Sequence, residues 1–442
     1  MAANPTDLPD RLREFVADSI AAPPLDSTPR RVHGPVLLPG KATAVIGMRR
    51  AGKTTFLHQQ RRERADAGVS LAHLPYWNFE DERTRGLTAE QLSMLLHEHQ
   101  RQHPATGARQ TTTLCLDEIQ LVPGWERFVR RLLDTEKMEL FVSGSSAAML
   151  SREVASSMRG RGFEVVIPPF GFGEALAHRG DEVPTAVPTS RKRSTLEGRL
   201  RDYLEVGGFP EVQSLDPATR HRVLRDYVDV AMLRDVIERH EITSVTALRW
   251  LVRHLLGNAG GSFSVQKFFD ALKSQGLRVG KDTLHDLMAH LTDCFLVRTV
   301  WIETDSERRR MVNPRKVYPV DPGLIPVFDR SGKANLGHAL ETAVLIELER
   351  RGAEVTYVRT TDGNEVDFLA RLPGEAPQLI QVAANVLDPS TAEREVRGLR
   401  DAGRVLPQAS RHLIVLDRDG VPSEPPEGVR VHTAVEWLLD WQ

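Results

Sequence analysis

Residues 47–55 carry the pattern with the clearest chemistry in the chain. They satisfy the spacing G-x-x-x-x-G-K-[ST], with Gly47, Gly52, Lys53 and Thr54 at the fixed positions. Glycine allows backbone conformations that a side chain forbids, so the N–H groups of such a loop can point inward at an anion. Lys53 would reach the β- and γ-phosphates of a nucleotide, and the Thr54 hydroxyl would ligate Mg²⁺. The predicted ATP-binding residues are Gly47, Arg49, Arg50, Ala51, Gly52, Lys53, Thr54 and Thr55.

The segments on either side of this loop are those that its chemistry requires. The apolar run 42–46 has the composition of a buried strand, and residues 55–60 predict the start of a helix. A helix N-terminus directly after the loop adds the positive end of the helix dipole to the anion site. A chance match in a glycine-containing turn is the alternative, and the strand–loop–helix context favours the phosphate site.

Two adjacent carboxylates form the second candidate site. The apolar segment 112–116 predicts a strand, and Asp117 and Glu118 follow at its C-terminal end. Asp117 would hold Mg²⁺ through water, and Glu118 would polarise the attacking water. In isolation such a pair is also typical of a surface turn, but about 60 residues after a phosphate loop it indicates a Walker B element. The expected reaction is the hydrolysis of ATP to ADP and phosphate.

Five segments carry a resemblance to a known family: GMRRAGKTT, FEDER, LDEIQLVPGWERFVRRL, VSGSSAAML and RGRGFEVVIPPFGFGEAL. Together they resemble bacterial and archaeal AAA-type ATPases with an appended C-terminal region of unknown function. The resemblance extends over nearly the whole chain and implies an ATP-binding core. The expected fold class is therefore α/β, a P-loop NTPase of AAA type with a parallel sheet, followed by further domains.

The strand segment 139–142 ends in serines that are candidates for contact with the γ-phosphate. AAA-type proteins place a polar sensor at the tip of the strand beside Walker B, which makes Ser143 the first candidate and Ser145 the next. The alternative is a helix cap, because serine is a favoured N-cap residue.

Arg159 and Arg161 precede the strand segment 163–167 and are candidates for an arginine finger. An arginine supplied to the γ-phosphate of a neighbouring subunit accelerates hydrolysis, so the assignment implies a homo-oligomer. The family resemblance favours Arg161. Alternatively, both arginines belong to a solvated basic turn.

The composition limits which partners and which cellular location the protein can have. The net charge is −2, so nucleic acid could bind only at a local basic patch. The two cysteines, Cys115 and Cys294, lie in apolar runs and are expected to be reduced core residues. No apolar stretch reaches the length of a membrane span, and no secretion signal opens the sequence. We expect a cytoplasmic protein without a membrane partner.

Residues 244–301, together with the basic turn at 307–310, predict a winged helix. Three short helical patterns precede a strand and a basic turn that contains Arg308, Arg309 and Arg310. Lys281, Thr283 and His285 would then begin the recognition helix. Such a module either contacts double-stranded DNA or packs between domains, and both interpretations stay open because the basic residues are few.

The C-terminal region resembles restriction-endonuclease-like nucleases. Glu341 on a helix, Asp367 on a strand and a third strand at 378–383 follow the order of that fold. Those nucleases hold Mg²⁺ with an aspartate and a glutamate and assist the water with a lysine two residues after the glutamate. Here Gln381 and Ala383 occupy the last two positions, so a structural or DNA-holding relic is favoured over an active nuclease.

Shifts in composition predict four segments. Residues 177–195 are rich in proline, serine and charge, which is typical of a linker, although Arg191 to Arg193 could contact phosphate. The expected domains are an AAA-type P-loop ATPase domain at 1–176, the linker at 177–195, a helical connector and winged helix at 196–330, and a degenerate restriction-endonuclease-like α/β domain at 331–442.

Three functions are compatible with these features. The first is an AAA-type ATPase that uses ATP and Mg²⁺ and couples hydrolysis to a conformational change in its C-terminal domains. The second is an ATP-gated DNA-binding protein that reads duplex DNA with the winged helix. The third, weakened by Gln381 and Ala383, is an ATP-regulated nuclease.

Overall fold

The chain divides into two compact units, residues 1–167 and 168–442. Within them the computed structural model describes residues 9–104, 111–144, 160–329, 335–384, 389–422 and 424–440.

The first unit is built on a five-stranded sheet. Its strand order is β2–β3–β4–β1–β5, and all four strand pairings are parallel. The predicted α/β fold with a parallel sheet is thereby confirmed. The strands are β1 (Ala42–Ile46), β2 (Tyr76–Asn78), β3 (Thr112–Asp117), β4 (Met138–Gly144) and β5 (Gly162–Val166).

Burial on both faces explains why the central strands β1 and β3 are mostly apolar runs. Every residue of β1 and β3 is buried, as is usual for central strands of a parallel sheet. Phe56 and Leu57 of the helix after the phosphate loop pack into the same apolar cluster as Val45 and Phe141. The helices of this unit are α1 (Asp10–Ala21), α2 (Lys53–Asp66), α3 (Ala89–Gln102) and α4 (Trp125–Thr135).

The second strand is shorter than its sequence suggests. Residues 71–79 are mostly apolar and predict a strand, but only Tyr76–Asn78 form β2. Leu71–His73 form a single 3₁₀ turn, which begins where the Ser70 hydroxyl accepts a hydrogen bond from the Ala72 N–H. The short strand places Tyr76 opposite Cys115 of β3, close to the C-terminal edge of the sheet.

The second unit contains an eight-stranded mixed sheet in the order β13–β12–β11–β10–β9–β7–β8–β6. A short parallel pairing of β7 with β9 joins its two halves, with Trp301 opposite Thr356. The strands are β6 (Ser262–Phe263), β7 (Val297–Ile302), β8 (Arg315–Pro319), β9 (Glu354–Arg359), β10 (Glu365–Arg371), β11 (Gln378–Ala383), β12 (Ser410–Val415) and β13 (Arg430–Thr433).

Helices precede, separate and cover these strands. One long helix, α7, begins at Pro217 after the Asp216 cap and continues past Val230 through a π-helical segment, Ala231–Ile237, to His240. The others are α5 (Phe172–His178), α6 (Ser190–Val206), α8 (Val245–Gly257), α9 (Val265–Ser274), α10 (Lys281–Asp293), α11 (Glu307–Val312), α12 (Ile325–Phe328), α13 (Leu336–Arg350), α14 (Pro389–Val405) and α15 (Ala434–Leu438).

Two sequence expectations need correction in this unit. Residues 190–195 of the predicted linker lie in helix α6. The predicted basic turn at 307–310 is the short helix α11, because the Ser306 hydroxyl accepts a hydrogen bond from the Arg309 N–H at 3.3 Å and starts a helical turn.

Two smaller expectations concern the cysteines and the membrane. Cys115 and Cys294 are both free and buried, as expected. Among the described residues, no helix is long and apolar enough to cross a membrane.

Candidate functional site

The loop between β1 and α2 needs its two glycines for steric reasons. Gly47 has a φ of +149°, and a Cβ there would overlap the backbone carbonyl of Ile167. Gly52 has a φ of +102°, and a Cβ there would lie 2.7 Å from Nη1 of Arg30. Helix α2 begins at the next residue, Lys53, so its N-terminus faces the loop. The strand–loop–helix arrangement is the one that binds phosphate groups.

Lys53 lies inside the curve of this loop. Its side chain is buried, and its Nζ donates hydrogen bonds to the carbonyl oxygens of Gly47 at 3.1 Å and Met48 at 3.2 Å. These bonds hold the ammonium within the loop, where the phosphates of a nucleotide would bind.

Asp117 joins the two sequence motifs into one site. Its Oδ2 accepts a hydrogen bond from the Thr54 hydroxyl at 2.8 Å, across 63 residues of chain. The same oxygen accepts one from the Tyr76 hydroxyl at 2.6 Å, and Oδ1 accepts one from Ser143. Three hydroxyl donors therefore orient a single buried carboxylate. A hydroxyl beside a carboxylate is the kind of oxygen donor set that Mg²⁺ prefers.

Glu118 occupies a constrained backbone position beside Asp117. Its φ is +53°, in the left-handed region, and its N–H donates to the Ser143 hydroxyl oxygen at 3.0 Å. Gln120 donates a hydrogen bond to the Glu118 carboxylate. Burial raises the pKa of Glu118, and the positive charge of Lys53 opposes that rise. A carboxylate with a raised pKa near a phosphate site suits a general base.

Ser143 contacts both residues of this acidic pair. It is fully buried on β4, and its hydroxyl bridges the Asp117 side chain and the Glu118 backbone. Ser143 therefore belongs to the site, where it holds both carboxylate residues. Its contact with a γ-phosphate stays a prediction. Ser145 lies outside the described residues.

Arg161 lies at the opposite edge of the sheet from the phosphate loop. Its carbonyl oxygen accepts a hydrogen bond from Ala42 at the start of β1, whereas the loop follows the end of β1. Its guanidinium is partly exposed and pairs with Asp134 of the same chain. Arg161 is therefore not part of the site of its own chain. Arg159 lies outside the described residues.

The remaining predicted loop residues surround the site. Arg49 lies 3.9 Å from the Glu80 carboxylate, Arg50 is exposed with a φ of +65°, and Thr55 is half-buried. Ala51 is fully buried, and its carbonyl oxygen accepts a hydrogen bond from Arg30.

Two residues of the site carry no motif in the sequence. Tyr76 contacts Asp117, and burial together with that carboxylate raises the pKa of its phenol, so it remains a donor. Arg30 is buried against the loop, and its backbone N–H donates to Gln59 of α2 at 2.7 Å. Tyr76 could have been suspected from its place on the strand beside Walker B. For Arg30 the sequence holds no signal.

Comparison with known families assigns the class of this site. Residues 39–176, which contain the loop, both carboxylates and the parallel sheet, match the family described as AAA domain. Residues 197–333 match a domain of unknown function, DUF8612. The first unit is thus a P-loop domain of AAA type.

The chain belongs to the same family as the uncharacterized protein MJ1544 of Methanocaldococcus jannaschii. The two are 32% identical over 375 residues, which cover 83% of this chain and 79% of the relative. An uncharacterized protein of Haemophilus influenzae is 26% identical over 397 residues, covering 89% of this chain and 93% of the relative.

Solved structures show weaker likenesses. The Walker-type ATPase PABY2304 of Pyrococcus abyssi has a TM-score of 0.38 at 15% identity, covering 72% of this chain and 95% of that chain. The ORC1 protein of Aeropyrum pernix, solved in complex with DNA, has a TM-score of 0.27 at 15% identity, covering 73% and 93%. Likenesses at such scores carry no weight for the function of this chain.

Proposed function

We propose that this chain binds ATP with Mg²⁺, hydrolyses it to ADP and phosphate, and uses the nucleotide cycle to change the conformation of its C-terminal unit. The observation that carries this proposal is the 2.8 Å contact between the Thr54 hydroxyl and the Asp117 carboxylate. That contact brings together two motifs that are far apart in sequence and supplies adjacent oxygen donors next to a phosphate loop.

The roles of the residues follow from their contacts. Lys53 would exchange the carbonyl oxygens of Gly47 and Met48 for phosphate oxygens. Thr54 and Asp117 would hold Mg²⁺, which offsets the negative charge on the phosphates. Glu118 would orient the attacking water and accept its proton, a task to which its raised pKa is suited. Ser143 and Tyr76 hold Asp117 in place, and Ser143 also fixes the Glu118 backbone.

The proposed arginine finger is Arg161, acting on the nucleotide of a neighbouring copy. Its place at the edge of the sheet opposite its own loop supports action between copies, since it is held away from its own site. Its surface ion pair with Asp134 is exposed and therefore easily exchanged for a phosphate. In this proposal the active protein is a homo-oligomer.

Steady-state ATP hydrolysis, measured with and without duplex DNA, tests the proposal. Glu118→Gln should keep nucleotide affinity and lose turnover, because the amide orients water but accepts no proton. Lys53→Ala should lose nucleotide affinity, and Lys41→Ala serves as a lysine control outside the loop. Normal turnover in Glu118→Gln would place the base elsewhere, and unchanged affinity in Lys53→Ala would remove the loop assignment.

A second candidate function is ATP-gated binding of duplex DNA. The element order α8–β6–α9–α10–β7–α11–β8, with β8 antiparallel to both β6 and β7, supports the winged-helix interpretation. Lys281 and His285 are exposed at the start of α10, although the exposed Asp282 and Asp286 reduce the positive charge there.

Helix α11 is the more basic part of that surface. Arg308 and Arg309 are exposed, and the Cζ atom of Arg310 lies over the Trp301 ring, 5.9 Å from its centre. The apolar side chains of Met311 and Val312 are 78% and 77% exposed beside them. A basic surface next to exposed apolar tips is compatible with a nucleic-acid contact.

The salt dependence of duplex binding tests this second candidate. Replacing Arg308 and Arg309 by alanine should weaken binding and reduce the slope of log affinity against log salt by about two. Arg397 and Arg404, exposed on α14, provide a matched double-alanine control. If both double variants bind duplex DNA alike, α11 is not the contact surface. In the hydrolysis assay, turnover that does not depend on DNA would point to a protein effector.

A further inference from the structure

A buried lysine lies inside the carboxylate cluster of the C-terminal unit. Lys316 is on β8 and is only 4% exposed. Its Nζ lies 2.7 Å from Oε1 of Glu365 and 3.0 Å from Oδ1 of Asp367, both on β10. The ring of Tyr357 is 5.8 Å from the same nitrogen. The ammonium therefore occupies a position among carboxylates where a nuclease of the resembled type would hold a metal ion.

The other oxygen of Asp367 is occupied by two further donors. Gln381 Nε2 donates to Oδ2 at 2.7 Å, and the Val382 N–H donates to it at 3.0 Å. In return, the side-chain oxygen Oε1 of Gln381 accepts a hydrogen bond from the Asp367 backbone N–H at 3.3 Å. A glutamate at position 381 would have no donor for Asp367 and would repel it. The amide at this position thus completes the hydrogen bonding of Asp367 instead of binding a cation.

Lys316 and the protonation of Glu341 reduce the negative charge of the cluster without a divalent ion. Burial alone would lower the pKa of Lys316, but Asp367, Glu341 and Glu365 outweigh it and raise that pKa, so the ammonium stays charged. Burial and the Asp367 carboxylate raise the pKa of Glu341 well above its usual range, which favours its neutral form. The hydroxyl of Tyr318 contacts Glu341 at 3.1 Å. A divalent cation would have to bind beside an ammonium, to ligands that are already in use.

Among the described residues, no group of three or more His, Cys, Asp or Glu side chains is arranged to hold a metal ion. The residues present therefore do not fit the Mg²⁺ that the nuclease resemblance implies.

We propose that the Lys316 ammonium is the permanent counter-ion of Asp367 and Glu365, in place of a divalent cation, and that it links β8 to β10 across the sheet. Strands β7 and β9 lie between β8 and β10 in the sheet order, so this contact links the two halves of the sheet through side chains. The hydrogen bond from the Tyr357 hydroxyl to the Pro314 carbonyl oxygen, at 2.7 Å, links the same halves. The region from β6 to β13 would then respond to the nucleotide cycle as one rigid body and cleave no DNA.

A double-mutant cycle on the full-length chain tests the ion pair. Lys316→Met keeps most of the side-chain volume and removes the charge, so it should lower the thermal midpoint by roughly 6 °C or more. Asp367→Asn should also destabilise, and the double variant should lose less than the sum of the two. Lys273→Met, an exposed lysine on α9, is the matched control and should change little. A stable Lys316→Met, or strictly additive effects, would overturn the proposal.

Manganese titration provides a readout that does not depend on how well Lys316→Met folds. Asp117→Asn serves as the background, because it removes the carboxylate that is proposed to hold Mg²⁺ beside the phosphate loop. The number of bound Mn²⁺ ions should be the same with and without the additional Asp367→Asn change. One Mn²⁺ ion that is lost on replacing Asp367 would show that a metal, and not Lys316, is the resident cation.

Discussion

At the scale of single residues, the site depends on how firmly Asp117 is held. Its two oxygens accept hydrogen bonds from hydroxyls on three different elements: Thr54 on α2, Tyr76 on β2 and Ser143 on β4. If Thr54 turns toward Mg²⁺, Tyr76 and Ser143 still hold the carboxylate in position. Tyr76 is therefore a positioning residue for the proposed hydrolysis.

Removing the Tyr76 hydroxyl should slow the reaction more than it weakens binding. Tyr76→Phe deletes one hydrogen bond to Asp117 and leaves the ring in its buried place, which corresponds to about a tenfold loss of kcat. The steady-state kcat and KM for ATP are the measurements. Tyr227→Phe, which removes an exposed hydroxyl in the second unit, is the control and should leave both constants unchanged. Equal kcat values in the two variants would show that Tyr76 has no positioning role.

At the scale of elements, the turn from β1 to α2 tolerates no Cβ at its first glycine. Gly47→Ala combines a left-handed φ with overlap of the Ile167 carbonyl oxygen. Gly34→Ala is the matched control, because Gly34 has a φ of +86° and nothing within 4 Å of the added Cβ.

Urea unfolding should separate the free-energy cost of the left-handed φ from that of the overlap with Ile167. The control should lose about 1 kcal/mol from strain alone, whereas Gly47→Ala should lose clearly more and also its ATP affinity. Equal losses would mean that the loop shifts freely and that the close approach to Ile167 is not needed.

The edge of β5 gives a second prediction at this scale. Arg161→Ala should keep ATP affinity and lose turnover, because the arginine acts on the nucleotide of the neighbouring copy. When it is mixed with Glu118→Gln subunits, part of the activity should return, since interfaces then form that pair an intact Arg161 with an intact Glu118. Turnover that is independent of Arg161 and of protein concentration would contradict both the finger and the oligomer.

At the scale of the whole molecule, a buried carboxylate makes stability depend on pH. Asp321 accepts hydrogen bonds from the N–H groups of Gly208 at 2.5 Å and Gly323 at 2.9 Å. It thereby links the segment before α7 to the segment after β8. Burial raises its pKa from 3.8 to about 7. The folded chain therefore binds this proton more tightly than the unfolded chain, and the contribution of Asp321 to stability is lost as the pH rises through that interval.

Comparison with Asp321→Asn isolates this effect. Between pH 4 and 7 the wild type should lose up to about 4 kcal/mol relative to the variant, whose amide does not titrate. Burial lowers the pKa of His58, His99 and His412 to about 4, which acts in the opposite direction, but these histidines are common to both chains and cancel. The free energy of urea unfolding across this pH range is the measurement. If the free energies of unfolding of the wild type and the variant changed in parallel with pH, Asp321 would not have the raised pKa.

The amino-acid sequence by itself determined the elements that local chemistry specifies. The loop spacing, the buried run before it and the acidic pair at a strand end predicted the P-loop and its parallel α/β domain, because glycine conformation, strand burial and helix polarity are local properties.

Only the tertiary structure decided which distant side chains meet. Tyr76 reaches Asp117 because β2 pairs with β3 in the folded sheet, and Lys316 reaches Asp367 although strands β7 and β9 lie between their own strands. Arg161 precedes a strand in the sequence, but the parallel pairing of β1 with β5 decides that it lies away from its own loop. Such contacts depend on strand order and on packing over long separations, which no local pattern encodes.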